Sequence, residues 1–172
     1  GLAGGPPEGR ELKAWYPGGS SAPVLGPEER DLPYSFEALA EAGSMLGSGA
    51  IIVADDTVSI PHMALRTARF YRHESCGKCT PCREGTNWTV KMLERVVRGE
   101  ATPMDLDIIA SVQENIIGHC LCVLGDAMAM PVGSMVRRWR SEFEETIARA
   151  RESGAATLDV EPALAAPAGA GA

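Results

Sequence analysis

The chain has 172 residues, 45% of them apolar, with three each of Phe, Trp and Tyr and a formal net charge of −7. That is enough for one domain, or one domain and a fragment, with a core built on Ala, Val, Leu, Ile and Met. The acidic balance argues against a nucleic-acid partner, which selects a basic surface, and no run approaches the roughly 20 apolar residues of a membrane span.

Residues 1–56 are rich in Gly, Pro and short apolar runs. Leu12–Tyr16 and Ala50–Ala54 read as strands, the second a β-branched run that follows a Gly-Ser-Gly turn. Phe36–Ala42 reads as a short helix stopped by Gly43, Gly47 and Gly49, and residues 17–21 as a loop. Two strands are too few for a stable sheet, so this is an α+β piece that looks incomplete.

Residues 57–152 change period. Ser59 can cap a helix with Pro61 in its first turn, placing Ala64, Leu65, Ala68 and Tyr71 on one face. After Arg83, the residues Trp88, Met92, Leu93, Val96 and Val97 repeat at helical spacing until Gly99. Thr102 to Asp105 is a capping-box start, followed by Ile109, Val112 and Ile116 and ended by Gly118. Pro131 opens the last helix, with Val132, Met135, Val136, Trp139, Phe143 and Ile147 inward. Four helices with short joints predict a bundle with Trp88, Val112, Trp139 and Phe143 inside. Residues 153–172 collapse into Ala, Pro and Gly and read as a disordered tail.

All five cysteines fall in two patches: Cys76, Cys79 and Cys82 in one C-x-x-C-x-x-C string, and Cys120 and Cys122 about forty residues on. An odd, clustered set does not look like a secreted disulfide framework. It reads as metal ligation. Three thiols on one loop suit three corners of a 4Fe-4S cluster, usually held by four thiolates. A zinc tetrahedron with Cys or His donors, in a zinc-stabilised helical interaction module, is the rival reading. Free or redox thiols are a third. Cys122 is the preferred fourth ligand, because the Gly125-Asp126 turn after it can bring backbone N–H groups toward sulfur. Cys120, two residues away, points elsewhere in an extended segment and reads as a small buried hydrophobe. Lys78 and Arg83 flank the ligands as cations that would favour a reduced, more anionic cluster.

The string Glu-Ser-Cys-Gly-Lys-Cys-Thr-Pro-Cys-Arg-Glu-Gly (74–85) resembles the NADH-binding flavoprotein subunit of respiratory complex I, whose relatives include NAD-reducing hydrogenases and formate dehydrogenases. Residues 17–21, 42–49, 68–73 and 124–127 look like that family too, in its order. The resemblance implies a 4Fe-4S cluster on Cys76, Cys79, Cys82 and Cys122 in a four-helix domain at 57–152. It also implies that residues 1–56 are the latter part of a β-grasp (ubiquitin-like) domain. In the family the cluster takes single electrons from flavin mononucleotide (FMN) that NADH has reduced, and the backbone after the fourth ligand, here Val123 and Leu124, comes near the flavin. The expected partners are the flavin- and NADH-binding part of the same subunit, a thioredoxin-like 2Fe-2S subunit and a large multi-cluster iron–sulfur subunit. The expected location is peripheral, on the cytoplasmic side of the bacterial inner membrane, without direct membrane insertion. No glycine-rich nucleotide fold is visible, so the chain reads as the C-terminal part of such a subunit, cut or supplied separately. It would be part of an oxidoreductase, carry no catalytic residue and be inactive alone.

Overall fold

The computed structural model describes residues 4–154, so most of the predicted Ala/Pro/Gly tail lies outside the described residues. Among the described residues the architecture is α+β: a two-stranded antiparallel sheet and six α-helices. Strand β1 (Leu12–Tyr16) pairs with β2 (Ile52–Asp55), with Trp15 opposite Val53 and a bulge between Leu12 and Ala14. Between them lie a single 3-10 turn at Pro27–Glu29 and helix α1 (Phe36–Glu41), capped by the Ser35 hydroxyl accepting from Ala38 N–H.

The remaining helices are α2 (Ile60–Glu74), α3 (Thr80–Val97), α4 (Pro103–Ile116), α5 (Leu124–Arg138) and α6 (Arg140–Glu152). Their starts follow from local chemistry. Pro61 sits in the first turn of α2 as expected, but the Ser59 hydroxyl makes no cap bond to the helix and lies 3.0 Å from His62 Nδ1 instead. At α4 the Asp105 carboxylate accepts from both the backbone N–H (2.6 Å) and the hydroxyl (2.8 Å) of Thr102, the reciprocal half of a capping box.

Two expectations need correction. The helix predicted to begin at Pro131 begins at Leu124, and Pro131 lies inside it. It also ends early, because Trp139 leaves helical geometry (φ −115°, ψ 32°) and closes α5 while starting α6. The region therefore holds five helices rather than four. Trp88, expected inside, is 54% exposed on the shoulder of α3. Phe143 is fully buried as expected, whereas Val112 and Trp139 are only partly buried against the core.

The main core is built on α2–α6 and continues into the sheet through Ala14, Tyr16 and Ala54 and into the loop after β1 through Val24. A satellite cluster of Trp15, Leu25 and Leu39 sits under the N-terminal loops. One carboxylate ties the two parts together. Glu142 on α6 accepts from Lys13 Nζ on β1 (2.9 Å) and from the N–H of Ile60 at the start of α2 (3.0 Å). Both side chains of that ion pair are largely shielded, so it orders the junction more firmly than a surface pair would. Among the described residues no helix is long and apolar enough to cross a membrane.

Candidate metal centre

The two cysteine patches meet at one end of the helices. Cys76 lies in the loop after α2, Cys79 is the N-cap of α3 and Cys82 sits in its first turn. Across from them, α4 ends at Ile116, the chain turns through Gly118–Leu121, and Cys122 comes just before Val123, the N-cap of α5. All five cysteines line one cavity of about 120 Å³, together with Glu74, Lys78 and Leu124. Two helix N-termini thus open onto the same hollow. Their unpaired N–H groups and partial positive charge favour anionic ligands such as thiolates.

Burial grades across the set. Cys82 is 6% exposed, Cys79 and Cys120 are half-buried, and Cys76 and Cys122 face solvent. The Leu121 backbone N–H donates to Cys79 Sγ at 3.3 Å. The Ser75 hydroxyl lies 3.2 Å from Cys82 Sγ. Arg83 turns back to donate to the Gly77 carbonyl at 2.7 Å, bracing the cysteine loop, and pairs with Glu84. Of the two flanking cations, only Lys78 lines the cavity.

Cys120 differs from the reading that pointed it away. It lines the cavity, but from the core side, packed against the main core with its S–H directed at the Ile116 carbonyl at 3.9 Å. Burial pushes its thiol pKa up, with Cys82, Cys79 and Asp126 adding in the same direction. Val123 is 76% exposed, while Leu124 is partly buried and lines the cavity. The expected Gly-Asp turn is instead the first turn of α5, where Asp126 accepts from Gly118 N–H at 3.0 Å and fixes the loop that carries Cys120 and Cys122.

Two glycines behind the site make close approaches that the sequence did not announce. A Cβ on Gly85 of α3 would come within 2.6 Å of Ile116 Cδ1, and a Cβ on Gly125 of α5 within 2.9 Å of both Ile116 Cγ2 and Cys120 Sγ. Their missing side chains let α3, α4 and α5 close around Ile116 directly beneath the cysteines. The buried polar residues there are bonded only in part: Gln113 Nε2 has partners, while its buried Oε1 has none among the described residues. Thr89 donates to Gly85 O at 2.7 Å and accepts from Gln113 Nε2 at 2.9 Å.

Among the described residues no three His, Cys, Asp or Glu side chains converge closely enough to hold a single ion. A thiol-lined hollow between two helix N-termini suits a group held by several cysteine thiolates, as iron–sulfur clusters are.

Comparison with known proteins agrees with that geometry. Residues 62–146 match the NADH-ubiquinone oxidoreductase-F iron-sulfur binding region. The chain is 46% identical over 141 residues to an F-type subunit of NADH-quinone oxidoreductase from Rhizobium meliloti (strain 1021), covering 82% of this chain and 34% of that protein. It is 44% identical over 146 residues to the F-type subunit of NADH-quinone oxidoreductase from Streptomyces coelicolor, covering 85% of this chain and 32% of that one. The chain therefore spans about a third of the length of the curated relatives it matches. A crystal structure of NAD+-reducing NiFe-hydrogenase in the H2-reduced state superimposes with a TM-score of 0.70 at 30% identity, covering 79% of this chain and 23% of that one.

Proposed function

Because residues 62–146 belong to the NADH-ubiquinone oxidoreductase-F iron–sulfur binding region, we propose that Cys76, Cys79, Cys82 and Cys122 hold a 4Fe-4S cluster for electron transfer. The observation that carries this is the meeting of all five cysteines on one cavity at two helix N-termini. Such a cluster, when bound, supplies a one-electron carrier between FMN reduced by NADH and further iron–sulfur centres. The chain's own residues hold it, fix the ligand loops and limit water at Cys82. The chemistry needs no acid–base residue. Cys120 is read as a packing residue rather than a ligand.

In this reading residues 1–56 are the latter part of a β-grasp domain, 57–152 form the cluster domain, and 153–172 form a tail. FMN and NADH belong to the flavin- and NADH-binding part of the parent subunit, with Val123 and Leu124 on the side nearest the flavin. The other partners are a thioredoxin-like 2Fe-2S subunit and a large multi-cluster subunit. The whole is peripheral to the cytoplasmic face of the inner membrane. Identity of 44–46% to quinone-linked relatives, against 30% to the hydrogenase, favours a complex I parent over a hydrogenase.

The test is anaerobic reconstitution of the chain with iron and sulfide, followed by metal analysis of single Cys→Ser variants. Cys76, Cys79, Cys82 and Cys122 variants should lose the intact cluster and its brown absorption, while Cys120→Ser keeps both. Full loading in Cys122→Ser with loss in Cys120→Ser would overturn the ligand assignment. A colourless chain that takes up zinc alone would overturn the function.

A further inference from the structure

We propose that Ser75 tunes the reduction potential of this centre by donating its hydroxyl hydrogen to the Cys82 sulfur, an inference that rests on the iron–sulfur reading above. The two atoms lie 3.2 Å apart. With a free thiol, either atom could donate. Once Cys82 ligates as a thiolate it has no hydrogen left, so the serine must be the donor.

The surroundings hold the hydroxyl for that role. The Gly77 backbone N–H donates to Ser75 Oγ at 3.3 Å, which occupies the oxygen from the loop side. Gly77 in turn has a left-handed conformation (φ +75°), and its carbonyl is fixed by Arg83. The serine is thus oriented by the ligand loop itself. Cys82 is buried, so little water competes for its sulfur, and a hydrogen bond to a charged acceptor gains strength in a low dielectric. Negative charge on the ligand sulfurs grows when an electron arrives. A donor aimed at one of them therefore favours the reduced state, the lever by which hydrogen bonds to sulfur set such potentials. The comparable contact on Cys79 comes from a backbone N–H, which no side-chain substitution deletes. Ser75 is a side chain through which the sequence can adjust the potential by a direct hydrogen bond to a ligand sulfur.

The experiment compares wild type, Ser75→Ala and Ser75→Thr as the full 172-residue chain, reconstituted anaerobically. It measures iron and sulfide per chain, then the midpoint potential by redox titration followed by electron paramagnetic resonance. Ser75→Ala should keep a full cluster and shift to lower potential. Its equilibrium constant for reduction should fall about tenfold, which is about 59 mV for one electron. Ser75→Thr, which keeps the hydroxyl, should titrate near wild type. An unmoved potential in a fully loaded Ser75→Ala, or an equal shift in Ser75→Thr, would overturn the proposal. If Ser75→Ala fails to load, Ser75→Thr against the isosteric Ser75→Val makes the same comparison of hydroxyl present and absent. A wild-type chain that holds no iron and sulfide is a different outcome, and removes the iron–sulfur reading itself.

Discussion

Substituting Gly85 by Ala tests how closely the helices meet beneath the cysteines. By propensity alone the change should help, since Ala is favoured over Gly inside a helix by about 0.8–1.0 kcal/mol. The added methyl, however, would sit 2.6 Å from Ile116 Cδ1 and 2.7 Å from its Cγ1. Ile116 cannot step aside easily. It is 1% exposed, and its Cγ2 already lies 2.9 Å from where a Cβ on Gly125 would stand. Overpacking of this kind costs about 1–3 kcal/mol, so the net expectation is a loss of about 1 kcal/mol. Ile116→Ala removes the clashing atoms, at its own cost of about 2–5 kcal/mol. In that background Gly85→Ala should turn stabilising by nearly the full propensity term. The resulting coupling of about 2 kcal/mol is within the range for contacting residues. Urea unfolding of the reconstituted chain, followed by far-ultraviolet circular dichroism, measures all four corners of the cycle. Stabilisation by Gly85→Ala in the wild-type background, with effects additive to within about 0.5 kcal/mol, would refute the close approach of α3 and α4.

Three other outcomes follow from the same geometry. Phe143→Ala should cost about 3–5 kcal/mol because the ring is fully buried, whereas Trp88→Ala on the exposed shoulder of α3 should stay within about 0.5 kcal/mol; thermal unfolding separates them. Asp105→Asn should cost about 1 kcal/mol at neutral pH, the scale of a helix cap. The Thr102 backbone N–H, opposed in part by burial and helped by the Thr102 hydroxyl and Arg95, holds the Asp105 carboxyl below its usual pKa. Its contribution is therefore present above the unfolded value near about pH 4 and is lost as pH falls through the lower folded value, so the two proteins should converge in acid. The purified chain with added FMN should not turn over NADH with ferricyanide; steady turnover would place a flavin site among residues read as a β-grasp piece and helices.

The sequence revealed what local chemistry decides. Strand β1, α1, and the starts of α2 and α4 were legible because residues such as Pro61, Thr102 and Asp105 act within a turn of themselves. The cysteine pitch pointed to the thiol-lined hollow for the same reason. What tertiary packing decides was not legible. Pro131 usually opens a helix, yet here it lies mid-helix, where the neighbouring Met128, Ala129 and Val132 are buried in the core and hold the turn despite the missing N–H. The break at Trp139 has no Gly or Pro to announce it. Helical spacing put Trp88 inward with Met92, but the face of α3 that packs is lined by Gly85, Thr86, Thr89 and Val90. Small residues and threonines bonded to their own helix permit the close approach that an indole would block.

The division of the ligand set has a consequence for assembly. Three of the proposed ligands lie on one short loop at the start of α3, and the fourth lies beyond the whole α3–α4 hairpin. Iron held first by the local trio needs no long-range order in the chain. Capture by Cys122 would then close a loop of about 40 residues, and a covalent cross-link of that span removes roughly 4 kcal/mol of chain entropy from the unfolded state. The inorganic core would act as a staple as well as an electron carrier. Without it, the end of the bundle that carries the cysteines should be the first to open to hydrogen exchange or a protease, while the junction clamped by Glu142 stays shut.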